Sequence, residues 1–269
     1  MSLDISHILD GWPYEPNQVS ARRIIGLDGR ERIQLRLELG LLQMETTGRP
    51  DGGKPHGFES LLDYHEHRLQ RHKDDKATAA GFELDEEACE LLRTEGMMYY
   101  HRYLAEFILE DYESVERDAS RNLRLMDLCK VYAKEESDRY ALQQYRPYVV
   151  MMCTRARGRL ALRNNRPKEA LKAVQAGIQR IKDFYREYGQ EEMLEASGEI
   201  ALLKAMPKEI ELRIPVDPLK RLREKLEKAI RDERYEEAAH LRDQLRRATR
   251  RMKGGIAEQT QHREPQGNE

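Results

Sequence analysis

Apolar residues recur at three- and four-residue steps through most of this chain and alternate with polar residues only near its start. Ile33, Leu35, Leu37 and Leu39 alternate with Gln34, Arg36 and Glu38, which predicts a strand over 32–45. A second strand is expected over 19–25, and Gly26-Leu27-Asp28-Gly29 between them is a turn signal, so the pair predicts a β-hairpin. Gly40 breaks the alternation and marks a bulge in this reading. A lone hairpin is marginal in water, so it should pack on the helices that follow or dimerise. From Phe58 onward the period is helical. Helices are expected over 60–72, 84–110, 113–134, 147–162, 167–188 and 191–206, with a polar linker at 74–81. Asp111-Tyr112 and Asn164-Asn165 are the turns, Pro147 and Pro167 suit first helical turns, and Pro207 should stop the last helix. The expected fold class is mainly α: a divergent α-solenoid or helical bundle with a small N-terminal β-hairpin. More than half of the chain should be helix.

The pattern is sharpest over 217–252. Leu219, Leu222, Leu226 and Ala229 (or Ile230) share one helical face, and Ala238, Leu241, Leu245, Ala248 and Met252 share another after a short polar turn. One apolar seam per helix predicts an antiparallel helical hairpin. A hairpin of this size buries too little to be stable alone and wants a second surface. Leu226, Ala229 and Ile230, then Tyr235-Glu236-Glu237-Ala238-Ala239 and Leu241-Arg242-Asp243, resemble the UVR motif of the UvrB and UvrC excision-repair subunits. That motif also occurs in Clp-type ATPases and in the activator of the bacterial protein arginine kinase. The resemblance implies protein–protein docking, with another UVR-bearing protein or by self-association, and no chemistry. Leu222, Leu226, Ile230, Tyr235, Ala238, Leu241, Arg242 and Leu245 are the residues it puts forward for partner binding. Ala238 and Ala239 are two small side chains that would let the second helix approach closely.

The preceding helical pairs resemble tetratricopeptide repeats. Gly158, Ala161, Ala170, Val174 and Gly177 hold small and apolar positions, Asn165 stands in the turn, and Lys168-Glu169-Ala170-Leu171 resembles the start of a second repeat helix. The earlier pair has Val115 at a small position, and its pivot lies about 55 residues before the later one, against a usual spacing of about 34. Leu9 to Tyr14 and Leu37 to Met44 are also similar to a bacterial group of UVR-motif proteins, a similarity that brings no activity with it. The domain organisation expected is 1–57 for the β segment, 58–206 for the helical domain, 217–252 for the hairpin and 253–269 for a disordered tail, with Pro215 and Pro218 stiffening the linker.

Composition narrows the function classes. A formal net charge of −2 gives no bulk basic character that would point to nucleic acid. Cys89, Cys129 and Cys153 are odd in number and form no Cys-x-x-Cys, so neither a disulfide framework nor a thiolate zinc site is signalled. The arginine-kinase activator, by contrast, binds metal through cysteine pairs. The start lacks the basic and apolar regions of a secretory signal, and no run approaches a membrane span, so a cytoplasmic protein is expected. His56, His65, His67 and His72 cluster without a metal-binding spacing and read as surface histidines. Gly52-Gly53-Lys54 lacks the strand–loop–helix frame of a phosphate loop and reads as solvent loop.

Charge patterning carries more. Residues 139–168 hold eight basic side chains and no carboxylate, whereas 106–118 hold six acids and one arginine. Either the two runs pair internally, or the arginines form a basic groove, with Arg155, Arg159 and Arg163 on one face to receive an acidic peptide or nucleic acid. Arg242, Arg246, Arg247, Arg250, Arg251 and Lys253 suit the negative end of a helix, with nucleic-acid contact as the alternative. No nucleophile–base pair, carboxylate dyad or cofactor fingerprint stands out. The expectation is a non-enzymatic adaptor without cofactor or metal, serving DNA repair or protein quality control. The alternative is a nucleic-acid-associated accessory factor of excision repair.

Overall fold

The computed structural model describes residues 4–212 and 218–247; within the second stretch, side chains are described at 222, 223 and 225–247. The chain divides into two units, Met1–Glu211 and Leu212–Glu269. In the first, a short helix α1 (Ser6–Leu9) precedes strands β1 (Ala21–Ile25), β2 (Glu31–Arg36) and β3 (Leu41–Glu45). Helices α2 (Leu61–Lys76), α3 (Glu86–Ile108), α4 (Tyr112–Tyr132), α5 (Glu136–Ala141), α6 (Arg146–Arg163), α7 (Pro167–Glu187), α8 (Met193–Ala196) and α9 (Gly198–Leu212) follow. In the second unit lie α10 (Pro218–Arg231) and a further helix over 235–247, α11. The mainly helical class is as the periodicity predicts. The β element is larger than a hairpin: β1, β2 and β3 form a three-stranded antiparallel sheet in that order.

Gly40 ends a turn and is no bulge. The Leu37 N–H donates to the Gly40 carbonyl at 2.9 Å, and the Arg36 guanidinium gathers the carbonyls of Leu37, Gly40 and Trp12. That one side chain satisfies acceptors that a turn would otherwise leave open. Alternation then gives the sheet two different faces. Ile33, Leu35 and Met44 are buried with Ala105 of α3, a small side chain that lets the sheet come close. The opposite face carries a polar ladder across all three strands. Arg22 donates to Gln34 at 2.8 Å and Gln34 to Gln43 at 2.9 Å, along the pairs that the register aligns. Trp12 covers this ladder, with the Arg22 guanidinium 4.1 Å from its ring centre.

Helices α3, α4, α6, α7 and α9 share the main core, centred on Val115, Val149, Met152, Val174, Ile181 and Leu203. Tyr100 meets Tyr148 at 6.0 Å, and seven residues further along each helix Phe107 meets Arg155 at 4.3 Å, so α3 and α6 run in the same direction. The Arg159–Glu209 pair near the ends of α6 and α9, with Glu199 beside Tyr145 and Tyr148 at their starts, gives α9 that direction too. Helices α4 and α7 return between these layers. Helix α6 approaches α7 closely because α7 carries Gly177: a Cβ there would lie 2.2 Å from the Thr154 hydroxyl. Pro207 does not stop α9, which continues to Leu212 and so places Ile210, wholly buried, on the same side as Leu203. The 74–81 linker is shorter than its composition implies, since α2 extends to Lys76 before Ala77 turns left-handed.

Helix ends repeat one device. After α3, α7 and α6 the chain closes with a left-handed residue (Glu110, Gly189 and Asn165), and the N–H after it reaches back five residues: Asp111 to Glu106, Gln190 to Tyr185 and Arg166 to Ala161. Glycine is the favoured residue at such a position, and Glu110 is not one. We therefore expect Glu110→Gly to raise the unfolding free energy by about 0.5–1 kcal/mol, and Gly177→Ala to lower it by about 1–3 kcal/mol through overpacking; thermal and urea melts check both.

Candidate functional site

The hairpin is built from the seam outward. Ala229, Ala238 and Leu241 are buried between α10 and α11, with Leu222 and Leu226 packed half-buried against them. Ala229 faces inward and Ile230 does not: Ile230 is 52% exposed. Of the alanine pair only Ala238 is buried; Ala239 faces solvent, so close approach rests on one small residue rather than two. The turn uses the same closure as the first unit, with Glu233 left-handed and the Arg234 N–H donating to the Ala229 carbonyl at 2.8 Å. The Arg234 guanidinium bridges Asp232 and Glu237 around it. Tyr235, 68% exposed, lies five residues after Ile230, across this turn, and opens α11. Leu245 is half-buried, and Arg242 is exposed next to Asp243 at 3.4 Å. The eight residues put forward for partner binding thus separate. Leu222, Leu226, Ala238 and Leu241 form the inner seam, Leu245 is half-buried one turn further along α11, and Ile230, Tyr235 and Arg242 are exposed. The side chain of Leu219, and Ala248, Arg250, Arg251, Met252 and Lys253, lie outside the described residues.

The arginine row of α6 is mostly engaged within the protein. Arg163 pairs with Glu113 at 2.5 Å and donates to the Glu110 carbonyl, Arg159 pairs with Glu209 at 2.9 Å, and Arg157 pairs with Glu116 at 2.7 Å. The basic and acidic runs therefore face each other, and the three candidates do not form an open row of free cations. Arg155 differs. Its guanidinium lies 4.3 Å from the Phe107 ring centre and 3.8 Å from the Met152 sulfur, half-buried, and among the described residues no carboxylate pairs with it. Burial and the neighbouring Arg159 push its pKa down.

Sequence reasoning missed a buried polar network between α3 and α4. Arg102 donates to both oxygens of Asp118, at 2.6 and 3.1 Å, and to the Glu45 carbonyl at the end of β3, at 3.0 Å. Arg117 joins Asp118 at 2.8 Å to Glu106 at 2.9 Å. Glu95 accepts from the first N–H groups of α2, Leu61 at 2.8 Å and Leu62 at 3.2 Å, and from Arg121. Tyr99 lies between the guanidiniums of Arg102 and Arg121. The available signal was a polar stripe at 95, 99, 102 and 106, whose spacing of four, three and four keeps it on one face of α3. Of the histidines read as superficial, His65 is buried, with its pKa pushed to about 4 mainly by burial, and His56 stacks on Tyr64 at 4.0 Å. Lys54 of the glycine loop pairs with Glu59 at 2.7 Å. Among the described residues, no group of three or more His, Cys, Asp or Glu is placed to hold a metal, and no helix is long and apolar enough to cross a membrane.

A cleft of about 400 Å³ opens between α3, α4, α6 and α9. Tyr100, Tyr103, Tyr145, Tyr148, Met97 and Met126 line it, with Arg93 and Glu199 at its edges.

Residues 217–248 match the family described as the UvrB/uvrC motif. No curated protein and no solved structure matches the chain. The match places the hairpin, and not the first unit, in a known class of motif.

Glu106 supplies a pH test. Burial, then the Asp118 charge, push its carboxyl to about 8, with Arg117 and Arg102 opposing. A raised carboxyl pKa means that the folded state holds a proton which the unfolded chain releases near the ordinary value of 4.5. Stability should therefore fall as pH rises from 4.5 to 8. We expect the melting temperature of Glu106→Gln to fall less than that of the native chain over this window.

Proposed function

We propose that this protein is a non-enzymatic adaptor: a helical unit that carries a UVR hairpin and docks another protein through it, either a UVR-bearing partner or a second copy of itself. The observation that carries this reading is the division of the hairpin's apolar residues. Ala229, Ala238 and Leu241 are consumed in joining α10 to α11, while Ile230 and Tyr235 remain more than half exposed around the turn. An aromatic and a branched aliphatic side chain on either side of an ion-paired turn are suited to anchor a partner. The kinship with UvrB and UvrC points to excision repair, and the motif's occurrence in Clp-type ATPases to protein quality control. The nucleic-acid reading draws on the arginines of α6, and two of its three candidates already hold carboxylates, which favours the protein partner.

Leu241→Asp would put a charge into the seam at a cost of several kcal/mol if it stays ionised there. We expect this variant to lose binding to a purified UVR hairpin peptide and to lose self-association in size exclusion with light scattering, while the helical unit keeps its melting transition. Tyr235→Ser, at an exposed position, should weaken the same binding with the hairpin intact. Unchanged assembly and unchanged peptide binding in both variants would remove the hairpin as the docking element. Steeply salt-dependent binding to DNA, in its place, would favour the accessory-factor reading.

A further inference from the structure

The cleft of the helical unit is lined mainly by aromatic and apolar side chains. Four tyrosines and two methionines converge on about 400 Å³, a volume within the range of small-ligand and side-chain pockets. Tyr103 and Met126 form its buried floor. Met97 and Tyr145, 50% and 53% exposed, stand at its rim, so an occupant would continue out along the surface. Methionine and tyrosine suit such a place because the first adapts its shape and the second offers a large rigid face at little entropic cost.

The charges give the cleft a direction. Arg93 is neutralised by Asp138, and the Glu199 carboxylate accepts from the Ser197 hydroxyl at 2.8 Å. Glu199 sits at the end of the cleft where α6 and α9 begin. Arg155 lies two turns further along α6 than Tyr148, about 10 Å at the helical rise, on the same side as Phe107. Among the described residues no carboxylate pairs with it, its pKa is lowered by desolvation, and Tyr148 and Tyr112 are the groups that favour its charge. A half-buried arginine with an aromatic support and no anion is half of a charge-assisted pair.

We propose that the cleft between α3, α6 and α9 docks an extended segment of a partner protein, seating one aromatic or branched apolar side chain among Tyr100, Tyr145 and Tyr148 and setting a carboxylate of the same segment against Arg155. Glu199 fixes the polarity, since it repels a second acid at the far end. The site stands independently of the hairpin, and loss of either leaves the other testable.

The test pans a phage-displayed library of random dodecapeptides over the immobilised full chain, with counter-selection on Met97→Glu. The expected yield is peptides with an aromatic or branched apolar residue followed or preceded within four positions by Asp or Glu. Fluorescence anisotropy of the selected peptide should show at least about tenfold weaker binding when its apolar anchor becomes Ala. A similar loss is expected when its acid becomes Lys, and for Arg155→Gln. The peptide substitutions leave the protein untouched, so they decide the matter even if a protein variant is destabilised. Hairpin-directed peptides would bind Met97→Glu equally well and are set aside on that ground. The proposal is overturned if no selected peptide is sensitive to Met97→Glu, or if the enriched peptides are basic. It is also overturned if free indole-3-acetate competes as tightly as the peptide, which would make the cleft a small-molecule pocket.

Discussion

The Arg102–Asp118 pair is the joint on which the first unit depends. Both side chains are almost wholly excluded from water, a placement that costs several kcal/mol per ion unless geometry and further hydrogen bonds offset it. The offset is present: the guanidinium meets both carboxylate oxygens and takes the last carbonyl of β3, while Arg117 supplies a second cation to the same acid. Removing Asp118 would leave the buried Arg102 with only the longer contact to Glu106, and removing Arg102 would leave Asp118 to Arg117 alone, losses more damaging than the pair itself is stabilising. Glu95 repeats the logic about two turns earlier on α3. Its carboxylate takes the open N–H groups at the start of α2, where a helix favours negative charge. Helix α3 therefore works as a mast. Its charged stripe joins α4, α2 and the end of the sheet, Ala105 packs against the sheet, and Met97 and Tyr100 are presented to the cleft.

Periodicity alone revealed most of the helical architecture, because the pattern of apolar residues reports which face is buried whatever it is buried against. The boundaries that went astray did so for local reasons. Pro207 ends a helix by propensity, but the burial of Ile210 in the core outweighs the lost hydrogen bond. The alternation runs on from the second strand into the third because the turn at Gly40 is closed by Arg36, a side chain whose role depends on its reaching back to Trp12. Tertiary context decided both.

The sites were legible in a different proportion. In the hairpin the inner seam could be read from spacing, since Leu222, Leu226 and Ala229 on α10, and Ala238 and Leu241 on α11, stand three or four residues apart. Which apolar residues stay outside could not, because Ile230 and Ala229 are neighbours and only the rotation of α10 chooses between them. The charge runs of 106–118 and 139–168 were visible, but their mutual pairing depends on α4 lying beside α6. The cleft left no linear trace: Tyr100 and Tyr103 come from α3, Tyr148 from α6, Tyr145 from the turn before it, and Glu199 from α9.

The parallel stacking of α3, α6 and α9, with α4 and α7 as return helices, has a kinetic consequence. Each helix touches mainly its neighbours in sequence, so the contacts that build this layer close short loops and should form early. The sheet is the exception. It meets α3 and α4 through residues more than fifty positions away, Glu45 with Arg102 and Thr46 with Arg117. Its closure brings together the most distant parts of the unit and relies on charges whose desolvation is compensated only when the fit is complete. Folding should thus run from the helical stack toward the sheet, and unfolding should begin where Arg102 releases the end of β3.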